Sequence, residues 1–339
     1  MTQNKQTEVQ QKIDIVIAWV DGNDPRHRAK RAHYLKQNEQ QNIPGAQETR
    51  FGNANELEYC LLSIFTFAPF INKVFIVTDE QTPSYKTTVY KYFPERREDI
   101  RIVDHKEIFK DFEEYLPVFN SRSIETMLWR IEGLSENFVY FNDDTFLVRP
   151  IKIQDWFIEN KPVIRGKWSP TPILRLGWEK IRESFFKKIL QNNNFQPRPS
   201  FHMGQWNAAS LLGFKYNYFI LSHTPHTMNK TTLKEFFDTN PDIIKQQIGY
   251  RFRHHQQFNF IALAYLLELK KANRHITNPD LSYLQPYQRK KDYIDNKLKN
   301  CEADHRIKYM CVQSLELCEE SDQKKVFSWL ANNMNLKEY

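Results

Sequence analysis

The chain has 339 residues, a formal charge of +7 and 14% aromatic residues, with only 9 Gly. This composition supports a large hydrophobic core and excludes a disordered or low-complexity protein. The excess of Lys and Arg favours an anionic partner, which means a nucleotide, a phosphorylated polymer or an anionic membrane surface.

The cysteines and the N-terminus bear on where the protein works. The four cysteines lack CxxC spacing, which favours reduced thiols in the cytoplasm. The polar start MTQNKQTEVQQK has no signal-peptide core, and no apolar stretch has the length of a membrane span. We therefore expect a cytoplasmic protein.

The first part of the chain alternates predicted strands with predicted helices. Residues 1–12 are a polar tail, and the apolar run Ile13–Val20 is a strand that stops at the turn sequence DGNDP. A helix is predicted over Pro25–Gln40, and a second over Glu56–Phe67, where apolar residues recur at helical spacing. Lys73–Thr78 is the next strand.

Each of the first four predicted strands ends on an acidic residue. The third strand is the run IRIV, and the fourth is FVYF, whose lack of polar alternation suits burial on both faces. Strands that alternate with helices predict a mostly parallel α/β sheet, Rossmann-like, with ligands beyond the carboxyl ends of the strands. The acids expected to meet there are Asp21, Asp79, Asp104, Asp143 and Asp144.

The pair Asp143-Asp144 is the candidate metal site. Two adjacent carboxylates at a strand end are costly unless they are solvated, paired or bound to a cation, and a divalent ion beside a phosphate is their common use. The alternative is an ordinary polar turn. The motifs GxGxxG, GxxxxGK[ST] and GxSxG are all absent, which disfavours a dinucleotide fold, a P-loop and a serine hydrolase. A sheet that holds its nucleotide through acids and a metal resembles sugar-nucleotide transferases of the GT-A type.

The later part of the chain is predicted more coarsely. A strand is expected at Ile164–Trp168, helices at Trp178–Leu190 and Gln257–Lys271, and an amphipathic helix near Lys324–Met334. A chain of this length can form one large domain or two. Residues 271–339 are expected to be mainly helical and to pack on the preceding part of the chain.

At this point the chain resembles a known family. The segments Ile17–Pro25 (IAWVDGNDP), Glu48–Pro83 and Phe119–Leu147 are similar to the first two conserved blocks of the Stealth family, and His223–Phe236 (HTPHTMNKTTLKEF) is similar to its third. Arg253, in RFRHHQQF, lies where the family has an Arg-containing motif. Stealth proteins are bacterial capsule and cell-surface polysaccharide phosphotransferases, distantly related to the enzyme that adds GlcNAc-1-phosphate to lysosomal glycoproteins.

The resemblance implies a catalytic domain over residues 13–270, a reaction and its partners. The reaction is transfer of a hexose-1-phosphate from a UDP-sugar to a hydroxyl of a glycan or lipid-linked oligosaccharide, with release of UMP. The implied partners are this donor, this acceptor and capsule-assembly proteins at the inner face of the cell membrane. A GT-A-type glycosyltransferase that releases the nucleoside diphosphate is the alternative. A nucleic-acid or surface-polymer binding module is disfavoured, because Lys and Arg form no stripe interleaved with aromatics.

The resemblance also suggests roles for particular residues. Asp143 and Asp144 would hold Mg²⁺ or Mn²⁺, and Arg253 would clamp a phosphate whose charge is redistributing. His223 is the candidate base, because imidazole titrates near neutral pH, and His226 is the runner-up or a phosphate contact. A covalent phosphohistidine intermediate stays open.

Further substrate contacts are proposed within the matched blocks. They are Asp21, Asp24, Arg50, Asn55, Glu56, Asn120, Ser121, Arg130 and Asn142. Several of these have ordinary structural alternatives. Asp21 and Asp24 could only shape a turn, Glu56 could only favour the positive end of a helix dipole, and Ser121 could only be an N-cap.

The C-terminal segment departs from the family pattern. The fourth block of the family has Asn-Asp after an apolar strand. The nearest match here is Lys308–Ser314 (KYMCVQS), which has Gln313 and Ser314 at those positions. The role of this segment therefore stays open.

Overall fold

The computed structural model describes residues 12–37, 55–188, 197–287, 290 and 292–336. Most strands are short, and the longest of those described has seven residues. In chain order the strands are β1 (Ile13–Ala18), β2 (Val74–Thr78), β3 (Ile100–Asp104), β4 (Asn137–Asn142), β5 (Thr145–Leu147), β6 (Phe157–Ile158), β7 (Lys161–Pro162), β8 (Ile164–Pro170), β9 (Asn217–Leu221), β10 (His226–Asn229), β11 (Ile276–Thr277), β12 (Leu281–Leu284) and β13 (Tyr309–Val312).

The helices surround these strands. In chain order they are α1 (Pro25–Gln37), α2 (Glu56–Phe67), α3 (Lys86–Tyr92), α4 (His105–Ile108), α5 (Ser121–Met127), α6 (Ile153–Trp156), α7 (Ile173–Lys188), α8 (Phe201–Leu211), α9 (Lys230–Thr239), α10 (Pro241–Ile248), α11 (Phe260–Lys270), α12 (Tyr293–Ala303) and α13 (Glu320–Asn333). Short 3-10 helices lie at Pro94–Asp99, Glu113–Tyr115, Leu128–Arg130 and Leu315–Leu317. Among the described helices, not one combines the length and the apolar character that crossing a bilayer requires.

The central sheet has five strands in the order β10-β4-β1-β2-β3. The strands β1 to β4 are mutually parallel, and β10 pairs with β4 in the antiparallel sense. This confirms the predicted α/β class, with a mostly parallel sheet flanked by helices. It also brings the carboxyl ends of β1, β2, β3 and β4 to one edge of the sheet.

Continuous apolar runs form these strands because both faces of the sheet are covered. Val139 and Phe141 of β4 pack in the cluster that contains α2, whereas Phe138 and Tyr140 pack in the cluster that contains α11. Side chains alternate between faces along a strand, so a strand between two helical layers is apolar at every position. The predicted helix over Glu56–Phe67 is confirmed as α2, with the same bounds.

Two smaller sheets extend the molecule. One has the order β11-β8-β9, and the other has the order β12-β13-β5, in which β13 pairs antiparallel with β5. Besides α12 and α13, the C-terminal segment thus supplies three strands, one of them at the apolar run of KYMCVQS. Arg149, just after β5, donates to the backbone oxygens of Ile307 (2.6 Å) and Cys301 (2.7 Å). These contacts join residues beyond 271 to the preceding part of the chain.

Candidate active site

A cleft of about 470 Å³ lies at the carboxyl edge of the central sheet. The ends of β1, β2 and β4, the first residue of β10 and the first turn of α5 contribute to its walls. The predicted site residues that line it are Glu56, Asn120, Ser121, Asn142, Asp143, Asp144, His223, His226 and Arg253. The structure therefore brings both candidate metal ligands, the candidate clamp and both candidate histidines to one cleft.

Asp143 and Asp144 form the turn between β4 and β5 and are half-buried. Burial raises the pKa of Asp143 well above its usual range, and repulsion from Asp144 and Glu56 raises it further. Burial also raises the pKa of Asp144 to about 6. Because this environment disfavours two negative charges, a bound cation would stabilise the ionised pair.

The donors in the cleft suit one kind of cation. Within the residues that the structure describes, no group of three or more His, Cys, Asp or Glu is arranged to hold a metal ion. Mg²⁺ usually takes one or two protein carboxylates and completes its octahedron with water and substrate phosphates. Asp143 and Asp144 fit an ion that is shared with a phosphate ligand, as opposed to one enclosed by protein alone.

Arg253 lies between α10 and α11, and its side chain lines the cleft. Its Nη2 donates to Ser121 Oγ at 2.6 Å, and the carboxylate of Glu125 attracts the guanidinium electrostatically. Its Nε is buried and has no hydrogen-bond partner among the described residues. Burial lowers the pKa of Arg253, an effect that Glu125 opposes. A guanidinium that lines a cleft suits an anionic ligand.

His223 is held between two aromatic rings. Its ring stacks on Phe201 at 5.1 Å and 18°, and on Tyr283 at 5.0 Å and 14°, measured between ring centroids and planes. Burial lowers the pKa of His223, and the neighbouring His202 lowers it further, so the imidazole is neutral at pH 7. The two stacked rings fix the plane of a neutral imidazole that lines the cleft.

His226 begins β10 and is buried deeper than His223. Its Nδ1 lies 3.3 Å from the hydroxyl of Tyr265. Burial lowers the pKa of His226 to about 3, helped by the nearby charge of Arg165. Because His226 is in a strand, the pair His223 and His226 does not share a helical face of the kind an HExxH zinc site needs.

Asn120 and Ser121 position the first turn of α5 against the cleft. Asn120 is the N-cap, since its side chain accepts from the backbone N–H of Arg122, and its Nδ2 donates to Gln257 Oε1 at 2.8 Å. Ser121 accepts from Arg253, as described above. Both residues line the cleft, and both also have structural partners that tie α5 to the segment around Arg253.

Glu56 and Asn142 also line the cleft that contains the carboxylate pair. Glu56 is the first residue of α2, is only 5% exposed, and its charge raises the pKa of Asp143. Asn142 is the last residue of β4, and its Oδ1 accepts from the hydroxyl of Tyr140 at 3.0 Å. Both side chains are close enough to the cleft to contact a ligand there.

Four other candidates lie away from the cleft lining. The carboxylate of Asp21 accepts from the backbone of Asn23, and that of Asp24 accepts from the backbone of Arg26 at the start of α1. These bonds shape the turn after β1, and the bond from Arg26 is the main cause of a lowered pKa at Asp24. Both side chains thus have the turn-forming contacts of the structural alternative.

Asn55 and Arg130 are the other two. Asn55 is the left-handed N-cap residue of α2, with φ 68°, and lines a separate small pocket. Arg130 donates to the backbone oxygen of Lys110 and lies over the Phe112 ring at 5.0 Å. The last candidate, Arg50, lies outside the described residues.

Several cleft residues were not among the sequence-based candidates. They include Glu125, Arg198, Phe201, Gln313, Ser314 and Glu316. Helical spacing could have indicated Glu125, because it follows Ser121 by four residues and so lies on the same side of α5. Phe201 and Tyr283 could not have been found this way, because their contact with His223 depends on long-range packing. Tyr283 also donates to Gln313, so it links the stacked imidazole to the turn after β13.

Comparison with known proteins matches two segments of this chain to family models. Two family models match: Stealth protein CR1, conserved region 1, over residues 11–39, and Stealth protein CR2, conserved region 2, over residues 50–164. Glu56, Asn120, Ser121, Asn142 and the carboxylate pair fall within the second match. His223 and Arg253 lie beyond both.

Curated relatives carry related names. The capsular polysaccharide phosphotransferase LcbA of Neisseria meningitidis is 30% identical over 276 residues, which is 80% of this chain and 68% of that protein. The receptor polysaccharide phosphotransferase WefC of Streptococcus oralis is 30% identical over 80% of this chain and 82% of that protein. The exopolysaccharide phosphotransferase SCO2592 of Streptomyces coelicolor is 32% identical over 77% of this chain, which spans only 26% of that longer protein.

Among solved structures, the galactosyltransferase LgtC in complex with donor and acceptor sugar analogs aligns over 95% of both chains, with 11% identity and a TM-score of 0.45. The two conserved-region matches and the relatives covered over most of their length agree with one another. The chain therefore belongs to the Stealth family and is a transferase.

Proposed function

We propose that this protein transfers a hexose-1-phosphate, such as a HexNAc-1-phosphate, from a UDP-sugar to a hydroxyl of a glycan acceptor and releases UMP. The observation that carries the proposal is one cleft that contains a carboxylate pair, a buried guanidinium and a neutral imidazole. The product would be a phosphodiester in a capsular or cell-surface polysaccharide. The names of the relatives support this substrate class.

The carboxylate pair is proposed to hold the donor's diphosphate through a divalent cation. Asp143 and Asp144 would be its protein ligands, and Mg²⁺ or Mn²⁺ fits their oxygen donors. When bound, such an ion neutralises diphosphate charge. The raised pKa values of both carboxyls support this assignment, because burial disfavours their ionised forms and a bound cation would stabilise those forms.

Arg253 is proposed to contact the phosphoryl group that is transferred. Its Nη2 is held by Ser121 Oγ at 2.6 Å, which fixes the plane of the guanidinium. The side chain of Arg253 lines the cleft, so it lies where a phosphate group of the donor would bind. A planar donor fixed in this way stabilises charge that spreads over the phosphoryl oxygens in the transition state.

His223 is proposed to accept the proton of the attacking hydroxyl. The acceptor oxygen forms a bond to the phosphorus next to the sugar, and the bond from that phosphorus to the bridging oxygen breaks. UMP leaves with that oxygen, and the proton passes to a ring nitrogen of His223. The lowered pKa of His223 keeps the ring unprotonated, and stacking on Phe201 and Tyr283 fixes its direction.

The cellular setting is part of the proposal. A reaction that uses a cytoplasmic nucleotide sugar and a glycan or lipid-linked acceptor would take place in the cytoplasm, at the inner face of the cell membrane. Capsule-assembly proteins there would be the protein partners. Residues 13–270 would act as the catalytic domain, with residues 271–339 contributing Gln313 and Ser314 to the cleft wall.

The identity of the released nucleotide tests the reaction. The protein is incubated with a panel of UDP-sugars, a divalent cation and glycan acceptors, and nucleotides are separated by chromatography. UMP together with an acceptor heavier by one hexose phosphate is expected. UDP together with an acceptor heavier by one hexose would show a glycosyltransferase and overturn the proposal.

The base is tested by His223→Ala. We expect turnover to fall by about 10²- to 10⁴-fold, the usual contribution of a positioned acid or base. His305→Ala is the matched control, because His305 is exposed and lies outside the cleft. Near wild-type turnover in His223→Ala would remove the assigned role. Incubation with donor alone, followed by mass spectrometry of the His223 peptide, tests for a covalent phosphohistidine.

A further inference from the structure

The helix α7 carries an unusual amount of exposed apolar surface. Of the eleven large hydrophobic side chains that are exposed in the described chain, five lie on this one helix. They are Ile173 (71% exposed), Leu174 (91%), Trp178 (63%), Ile181 (63%) and Phe185 (46%). Single exposed apolar side chains are ordinary, but a continuous group of them marks an interaction surface.

Four of these side chains form a stripe. Leu174, Trp178, Ile181 and Phe185 follow one another at spacings of four, three and four residues, which places them on one side of a helix. A helix buried in its own protein would turn such a stripe inward. Here the stripe is exposed, so an additional surface is needed to cover it.

The charges on α7 indicate what that surface is. The helix sequence has five Lys or Arg and two Glu. The two acids, Glu179 and Glu183, are half-buried, whereas the described basic side chains of Arg175, Arg182 and Lys188 are exposed. An apolar stripe flanked by exposed cations is the pattern of a helix that lies in the headgroup region of an anionic bilayer.

The neighbouring antiparallel pair of strands β8 and β9 continues this surface. Thr171 lies just before α7. Its backbone N–H donates to the backbone oxygen of Tyr216, and its hydroxyl donates to the backbone oxygen of Lys215. Tyr216 is 86% exposed, and Trp168 of β8 is 39% exposed. Aromatic side chains with a polar edge are favoured at the membrane–water interface, and Lys215 adds a further exposed cation.

We propose that α7 and the neighbouring end of this strand pair bind the surface of an anionic lipid bilayer, with the stripe inserted among the headgroups. This deepens the location proposed above by naming the surface responsible. Membrane binding would keep the protein at the surface that carries lipid-linked acceptors. Only this last point rests on the proposed reaction.

Vesicle binding tests the proposal without donor or acceptor. The full chain is mixed with vesicles of phosphatidylcholine alone or with an equal share of phosphatidylglycerol, and bound protein is measured by flotation. Binding is expected only with phosphatidylglycerol and should weaken as salt rises. With brominated acyl chains, we expect quenching of the tryptophan fluorescence, and the double variant Trp168→Phe with Trp178→Phe should remove most of it. Equal binding to neutral vesicles, or quenching that persists when both tryptophans are replaced, would overturn the proposal.

Two variants separate the apolar and the basic contributions. Leu174→Ser with Ile181→Ser should lower vesicle affinity by about tenfold or more, since it removes half of the stripe. Arg182→Glu should also lower it, whereas Lys299→Glu, with the same charge change on α12, should not. These side chains are exposed, so the variants are expected to keep their melting temperature. The other possible result is a wild-type dimer that does not bind anionic vesicles and that the Leu174→Ser, Ile181→Ser double variant converts to a monomer. In that case the stripe is a self-association surface and the proposal is wrong.

Discussion

The two ends of the central sheet differ in the surroundings they give to a carboxylate. At the amino end, Asp14 is fully buried and accepts from Asn72 Nδ2 (2.7 Å), from the backbone N–H of Lys73 (3.1 Å) and from that of Ser135 (2.7 Å). At the carboxyl end, burial raises the pKa of Asp143 well above its usual range. One carboxylate has hydrogen-bond donors at both of its oxygens, whereas the other lies where burial and neighbouring carboxylates disfavour its ionised form.

This difference separates a structural charge from a functional one. Asp14 joins the starts of β1, β2 and β4, because its donors belong to the segments just before β2 and β4. The pair at the other end costs stability, and proteins accept such a cost at sites that bind ligands. The environment of each carboxylate thus distinguishes the two ends, although both residues are Asp on the same sheet.

The largest expected effect comes from Asp143→Asn. We predict a loss of turnover of about 10³-fold or more, because the variant lacks one of the two carboxylates proposed to hold the cation. Thermal stability without added metal should stay the same or rise, since a buried charge is removed. The measurements are kcat from the released nucleotide and the melting temperature.

Asp24→Asn is the matched control for this prediction. Asp24 lies outside the cleft lining and caps the start of α1, a position where Asn serves about as well as Asp. Its turnover should remain within a few-fold of wild type. If both variants lose turnover equally, the loss does not arise from the cleft.

The opposite pattern is expected for Asp14→Asn. An amide presents one N–H group where the carboxylate had an oxygen, so at least one of three buried donors loses its acceptor. The free energy of unfolding should fall by about 3 kcal/mol, the cost of a charge-assisted bond and an unsatisfied buried donor. Urea denaturation measures it. A variant as stable as wild type would show that the amino-end carboxylate is not structural.

The sequence predicted the local part of this arrangement well. The first four strands are apolar runs that end in turn residues, and the acids after them were expected at one edge because parallel strands share it. The helix α7 begins at Ile173 instead of the predicted Trp178, because Gly177 does not interrupt it. The three-residue strand β5 was not predicted, because it forms only by pairing with β13, more than 160 residues later.

The candidate site residues show the same difference between local structure and long-range packing. Those next to a strand end or a helix start, such as Asp143 and Ser121, lie in the cleft. Arg130 shares a matched block with Ser121, but the 3-10 helix after α5 directs it to Lys110 and Phe112. The contacts of His223 with Phe201 and Tyr283 join three distant segments, which a pattern of neighbouring residues cannot reveal.

Arg253→Lys tests whether position in the cleft decides function. Lysine lacks both the planar fork and a donor at the Nε position, so we predict a fall in kcat/KM of about 10²-fold. Arg130→Lys is the matched control and should stay near wild type, since Arg130 does not line the cleft. Steady-state kinetics with saturating cation measures both. A comparable loss in the two variants would contradict the assignment.

The smallest expected effect is the pH dependence that His226 imposes on stability. Burial lowers its folded-state pKa from 6.5 to about 3, so the unfolded chain binds a proton more readily. Stability should therefore be lost as the pH falls below 6.5 towards 3, by about 2 kcal/mol at pH 5. His226→Gln, which can still bond the Tyr265 hydroxyl, should lack this loss, and His305→Gln, at an exposed position, should retain it. Urea denaturation at pH 7 and pH 5 compares the three proteins, and parallel losses in all three would show that burial of His226 does not cause the acid sensitivity.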